Sequence, residues 1–204
     1  MIHMLPHLLF VALWAVAGYA FGQVPRAAEQ YRLAVIASAA STFGPSAPVA
    51  LLAGQIHVES LWRAGVTSGA GAQGLCQFMP ATAAGMARAY PDLRPPLPFD
   101  PSWCIRARDR LMLENLRRYR VDRSECSQWL FALASYNGSP AALDREVRQC
   151  REDSICDPAR WFGHVETKVG RAGWAWAENR AYGPRILVSQ ALYASWGPRA
   201  CVPQ

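Results

Sequence analysis

The stretch Gln55-Ile56-His57-Val58-Glu59-Ser60 sets one carboxylate at the end of an apolar run. It is followed by Ser68-Gly69-Ala70-Gly71-Ala72-Gln73-Gly74-Leu75-Cys76-Gln77-Phe78-Met79-Pro80. Pro48 suits the first position of a helix, and Val49, Leu52, Ile56 and Glu59 recur on one side of a segment that runs to about Arg63. Glu59 therefore continues an apolar stripe. An apolar surrounding disfavours a carboxylate, and so does the negative end of a helix, so both favour the protonated acid near neutral pH. The helix alone fits a surface glutamate at a frayed end equally well. Residues 65–74 hold four glycines and cannot be a helix interior, so they read as a turn or small β excursion. Glycines let a backbone pass close to another group, here a polar ligand, although a plain flexible loop accounts for them too.

The chain has 204 residues and 51% apolar content, which suits one globular domain with an N-terminal extension and excludes disorder as a class. Its formal charge of +6 comes almost wholly from arginine, since Lys168 is the only lysine. Such a chain drifts toward polyanions such as cell wall, membrane or nucleic acid, or simply carries a solvated arginine surface. Residues 1–22 contain no Asp, Glu, Lys or Arg, and residues 8–21 are almost continuously apolar. This reads as an export signal ending in small residues (Gly18 and Ala20, or Ala20 and Gly22). The alternative is an uncleaved anchor, because the leader lacks a Lys or Arg. An exported chain with six cysteines, Cys76, Cys104, Cys126, Cys150, Cys156 and Cys201, is expected to form disulfides, with 15 connectivities open. No C-x-x-C pair is present and the histidines are scattered, so no metal or other cofactor is expected.

Helical periodicity predicts a first helix over 24–42, closed by Gly44-Pro45, and another from Pro80 to Tyr90. Five prolines in 91–101 make an extended connection. Ser102 is the candidate N-cap of a long helix reaching Tyr119, with Ile105, Leu111, Met112, Leu116 and Tyr119 inward and Arg106, Arg108, Arg110, Arg117 and Arg118 on a solvated face. Asp122 and Glu125 have capping-box spacing ahead of a helix ending at Ser135-Tyr136-Asn137-Gly138, and Pro140 opens the next. Residues 150–176 are irregular, and Trp161, Phe162, Trp174 and Trp176 in them belong to core or insertion. A final helix carries Tyr182, Ile186, Leu187, Gln190 and Tyr193. The fold class is mainly α, about seven helices with a small β/turn region.

Four separated blocks, Glu59-Ser60 with Ser68, residues 74–83, Tyr136-Asn137 and residues 178–182, resemble the lytic transglycosylases with a soluble-transglycosylase, goose-lysozyme-like domain. The likeness spans about 34–193 and is specific because order and spacing agree in all four. It implies a lysozyme-like catalytic domain over 23–204 in which Glu59 is the sole catalytic acid/base. Ser68, Gln77, Met79, Tyr136, Asn137 and Glu178 would line the glycan cleft, with Glu166 the rival to Glu178. The implied reaction is non-hydrolytic cleavage of peptidoglycan between N-acetylmuramic acid and N-acetylglucosamine to a 1,6-anhydro end. It further implies an exported monomer of the periplasm or cell envelope that binds glycan strands and no nucleic acid, with secretion or conjugation machinery as a candidate partner. A hydrolase on the same fold and a silent wall-binding subunit are the rival readings. Departures from the family pattern are Cys76 for Met, Ser135 and Gly138-Ser139 for Ala and Ala-Gly, and Asn179 and Gly183 for Thr and Val.

Overall fold

The computed structural model describes residues 23–120 and 124–201. The leader at 1–22 and the expected cap Asp122 lie outside the described residues. Eight α-helices are present among those described: α1 Arg26–Glu29, α2 Arg32–Phe43, α3 Val49–Ser60, α4 Pro80–Ala89, α5 Pro101–Arg118, α6 Glu125–Gly138, α7 Pro140–Glu152 and α8 Gly173–Ser189. Short 3₁₀ turns cover Pro91–Leu93, Val165–Thr167 and Gln190–Tyr193. None of these helices is long and apolar enough to cross a membrane.

Two helices are inner ones. Residues 49–56 of α3 are all buried, as are residues 129–135 of α6, so each is enclosed on every side. Around α3 pack α2, α8 and the 190–193 turn, while α6 lies between α5, α7 and α8. The main core joins α2 to α6 with α8, and a satellite core gathers Tyr119, Phe131, Leu143, Val147 and Trp161.

Local chemistry revises several expected boundaries. The single helix over 24–42 breaks at Tyr31, whose ring stacks on Trp62 at 6.0 Å with planes 10° apart. The long helix is capped by Asp100 rather than Ser102. Asp100 Oδ1 accepts from the Trp103 N–H at 2.6 Å, and Pro101 fills the first helical position. At α6 the cap is Ser124, whose hydroxyl accepts from the Ser127 N–H.

The glycine-rich stretch forms two single β-bridges, Thr67 to Gln73 and Gln73 to Phe78. Its tightest point faces protein, not ligand. Gly74 has φ +74°, and a Cβ there would stand 1.9 Å from the carbonyl oxygen of Pro98. Glycine is thus required so that the cleft loop can press on the proline-rich connection.

Two disulfides pair Cys126 with Cys201 and Cys150 with Cys156, and the buried sulphurs of Cys76 and Cys104 stand 2.6 Å apart.

One arginine departs from the solvated face expected of α5. Arg106 and Arg110 do face solvent, where both pair with Asp92. Arg108 instead shares the inward stripe of Met112 and Asn115, four and seven residues on. It is fully buried with Asp109, Nε to Oδ1 2.9 Å. Removing one partner of a buried pair leaves an uncompensated charge, whereas replacing both by apolar groups does not. Chemical denaturation is therefore expected to show Arg108→Met destabilised by about 3–5 kcal/mol, with Arg108→Met/Asp109→Leu recovering most of that loss.

Candidate active site

The end of α3 is fixed by aromatic packing. After Ser60 the chain turns through Leu61 and Trp62, both at positive φ, and the Trp62 ring enters a cluster with Tyr193 and Trp196. The Trp62 indole N–H donates to the Tyr193 hydroxyl at 2.6 Å. This clamp holds the last turn of α3, and Glu59 on it, against the 190–193 turn that follows α8.

Glu59 is half-buried, at the junction of two depressions of about 490 and 550 Å³ that share Val58, Glu59 and Arg185. Its Oε1 accepts a hydrogen bond from the Tyr182 hydroxyl of α8. Tyr182 in turn accepts from Gln55 Nε2 at 3.1 Å, and Gln55 Oε1 accepts from Arg108 Nη1 at 3.4 Å. Arg108 Nη1 also donates to the Leu52 carbonyl at 2.6 Å. A phenol has one proton, and because Gln55 already donates to the Tyr182 oxygen, that proton points at Glu59. The amide of Gln55 is oriented by the arginine behind it.

Burial pushes the Glu59 carboxyl up from its ordinary 4.5 to about 7. The hydrogen bond from Tyr182 and the charges of Arg108 and Arg185 oppose the rise, while the charge of Glu178 adds to it. Burial also raises the Tyr136 and Tyr182 phenols well above their usual range, so both remain neutral.

The other residues expected at the site lie along the smaller depression. Ser68, Gln77, Met79, Tyr136, Asn137 and Glu178 all line it with Glu59. Ser68 Oγ accepts from the Ala72 N–H at 3.0 Å and closes the turn. Gln77, at φ 49°, folds its amide back onto the Gly74 carbonyl at 2.8 Å. Tyr136 donates to the Cys76 carbonyl at 2.7 Å, tying α6 to the cleft loop. The Asn137 side-chain oxygen accepts from Asn179 Nδ2 at 2.9 Å. Met79 stays exposed to the cleft. Glu166, the rival to Glu178, closes its own 3₁₀ turn by accepting from the Gly163 N–H at 2.6 Å and is not part of the lining.

Sequence reasoning placed Tyr182 in the final helix and in the 178–182 block without giving it a role, and did not single out Gln55, Arg108, Arg185 or Trp174 as site residues. Gln55 did leave a signal, a lone amide inside an apolar run one helical turn before Glu59. Among the described residues no three His, Cys, Asp or Glu side chains stand close enough to hold a metal. What the arrangement offers is one carboxylic acid that keeps its proton near neutral pH, exposed to a groove on both sides. That is a general acid ready to become a base.

A profile described as "Transglycosylase SLT domain" matches residues 33–156, more than half of the chain. Among solved structures, the 70 kDa soluble lytic transglycosylase from Escherichia coli is similar to it, with a TM-score of 0.51 and 21% identity over 78% of this chain. This chain covers 24% of that one, about a quarter of its length. The likeness shows a shared, lysozyme-like fold. No curated protein matches the chain.

The proton on Glu59 has a thermodynamic consequence. Below pH 4.5 folded and unfolded states both carry it, and between 4.5 and 7 only the folded state does. Wild-type stability should therefore fall across that window, by up to about 3 kcal/mol, and level off above it. Urea unfolding at stepped pH should show that decline as the difference between wild type and Glu59→Gln, since the other carboxyls titrate alike in both.

Proposed function

This chain belongs to the transglycosylase SLT domain family, and on that premise we propose that it is a peptidoglycan lytic transglycosylase whose single acid/base is Glu59. The observation that carries the reading is the carboxyl of Glu59, open to the groove and hydrogen-bonded by Tyr182, with burial pushing it up to about 7. Protonated Glu59 donates to the glycosidic oxygen between N-acetylmuramic acid and N-acetylglucosamine, and the bond from C1 to that oxygen breaks. The resulting carboxylate takes the proton of the muramic C6 hydroxyl, whose oxygen bonds to C1 and closes a 1,6-anhydro ring. No water is consumed, and one residue serves both transfers.

Tyr182 steadies the charged intermediate form of Glu59, because its donated hydrogen bond favours the carboxylate. Glu178 and the cleft residues Ser68, Gln77, Met79, Tyr136 and Asn137 bind the glycan. The catalytic domain covers 23–204, behind a signal peptide or anchor at 1–22, and acts as a monomer in the periplasm or cell envelope. The charge-free apolar leader and the two disulfides support that compartment. A domain of this kind suits local wall opening for secretion or conjugation machinery.

A hydrolase would instead use Glu178 as its second carboxylate. Mass spectrometry of a digest of purified sacculi separates the two. Anhydro ends are expected from wild type, with Glu59→Gln slower by about 10²–10⁴-fold. Reducing ends only, or full activity in Glu59→Gln, would overturn the proposal.

A further inference from the structure

The face that α8 turns to the cleft carries a side chain with no role in the site around Glu59. Trp174, Glu178, Tyr182 and Arg185 recur at helical spacing, and all four line the same depression. Tyr182 holds Glu59, so Trp174 stands two turns away, about 12 Å along the helix at 1.5 Å per residue. It is 75% exposed. Its two neighbours in the irregular stretch are both occupied: Trp161 is buried edge-on to Phe131 at 5.3 Å, and the Trp176 N–H donates to the Lys168 carbonyl at 2.7 Å. Arg180 lies over both rings. Among the described residues, Trp174 has neither a ring partner nor a hydrogen bond.

The backbone that leads to it is nevertheless braced. The backbone leading into α8 is fastened to α7 by Arg145 on the Gly170 carbonyl (3.0 and 2.7 Å) and by Gln149 on both polar groups of Val169 (3.0 and 3.1 Å). Glu146 accepts from the Gly170 N–H at 3.2 Å and from the Arg171 guanidinium at 2.9 and 3.0 Å. Arg171 then packs close to Gly138, where a Cβ would stand 1.7 Å from Nη1. The backbone that carries the Trp174 ring is thus held at a cleft whose lining also includes Arg171, Gly138 and Asn137.

We propose that Trp174 is the stacking platform of a glycan subsite remote from the scissile bond, taking the C–H face of an N-acetylhexosamine ring in an extended β-1,4 strand. An indole offers a large apolar face to such a ring, and continuity with the groove that holds Glu59 selects a glycan over a protein or lipid surface. The inference rests on the function proposed above. It makes the tryptophan-bearing stretch a determinant of strand length: glycan units beyond the pair flanking the cleaved bond gain affinity through Trp174.

The test compares Glu59→Gln with Glu59→Gln/Trp174→Ala for retention on purified sacculi, and wild type with Trp174→Ala and Trp174→Phe for kinetics on sacculi. Far-ultraviolet circular dichroism and the unfolding midpoint should be unchanged, because the ring packs on nothing. Retention is expected to weaken about 5–10-fold in the alanine variant, with KM raised by a similar factor, kcat unchanged and Trp174→Phe intermediate. Equal retention within twofold, or no retention of either protein, overturns the proposal. If wild type gives no anhydro ends while Trp174→Ala still loses retention, the reaction assigned above fails and the subsite stands.

Discussion

The hydrogen bond from Tyr182 to Glu59 joins α8 to α3 across 123 residues of sequence, and the site depends on it. It needs α3 enclosed over 49–56 so that Glu59 is half-buried at the groove, and α8 long enough to carry Tyr182 past the cleft. It also needs Gln55 and Arg108 behind it, so that the phenol has one direction in which to donate. Each requirement is met by buried polar groups, Gln55 and one nitrogen of Arg108, rather than by charge at the surface. Such groups orient one another because an unmatched buried donor or acceptor is costly. The cationic end of the chain, Arg108, is itself balanced by Asp109.

Departures from the family pattern become intelligible through neighbours. Gly138 makes room for Arg171, and the glycine at 183 avoids Leu130, whose Cδ2 would stand 2.7 Å from a Cβ there. Ser139 keeps the positive φ of 93° that suits a glycine and uses its hydroxyl to cap α7. Asn179 is buried, donates to the Ala134 carbonyl and to Asn137, and accepts from Arg180. Cys76 faces Cys104 inside the core, under the loop whose carbonyl Tyr136 grips.

Much of the scaffold was legible because its signals are local. Pro48, Pro80 and Pro140 open helices, Gly44 closes one, and the glycines of 65–74 forbid a helix. The end of α6 at Gly138 was equally plain. What stayed hidden is set by contacts distant in sequence. Arginine defaults to solvent, so nothing local marks Arg108 as buried. Gly74 looked like a place for a ligand, but its close neighbour is Pro98. Tyr31 breaks the first helix at the point where it stacks on Trp62. The irregular stretch 150–176 carried no periodicity to read, and only the structure shows it braced on α7 with Trp174 turned outward.

The central claim is that the fold keeps a proton on Glu59 near neutral pH. The most direct measurement is the titration of its carboxyl carbon by NMR in the wild-type protein, assigned by its loss in Glu59→Gln. A midpoint near 7 is predicted. A midpoint near the ordinary 4.5 would contradict the account, because the acid would then be spent before any glycan reached it.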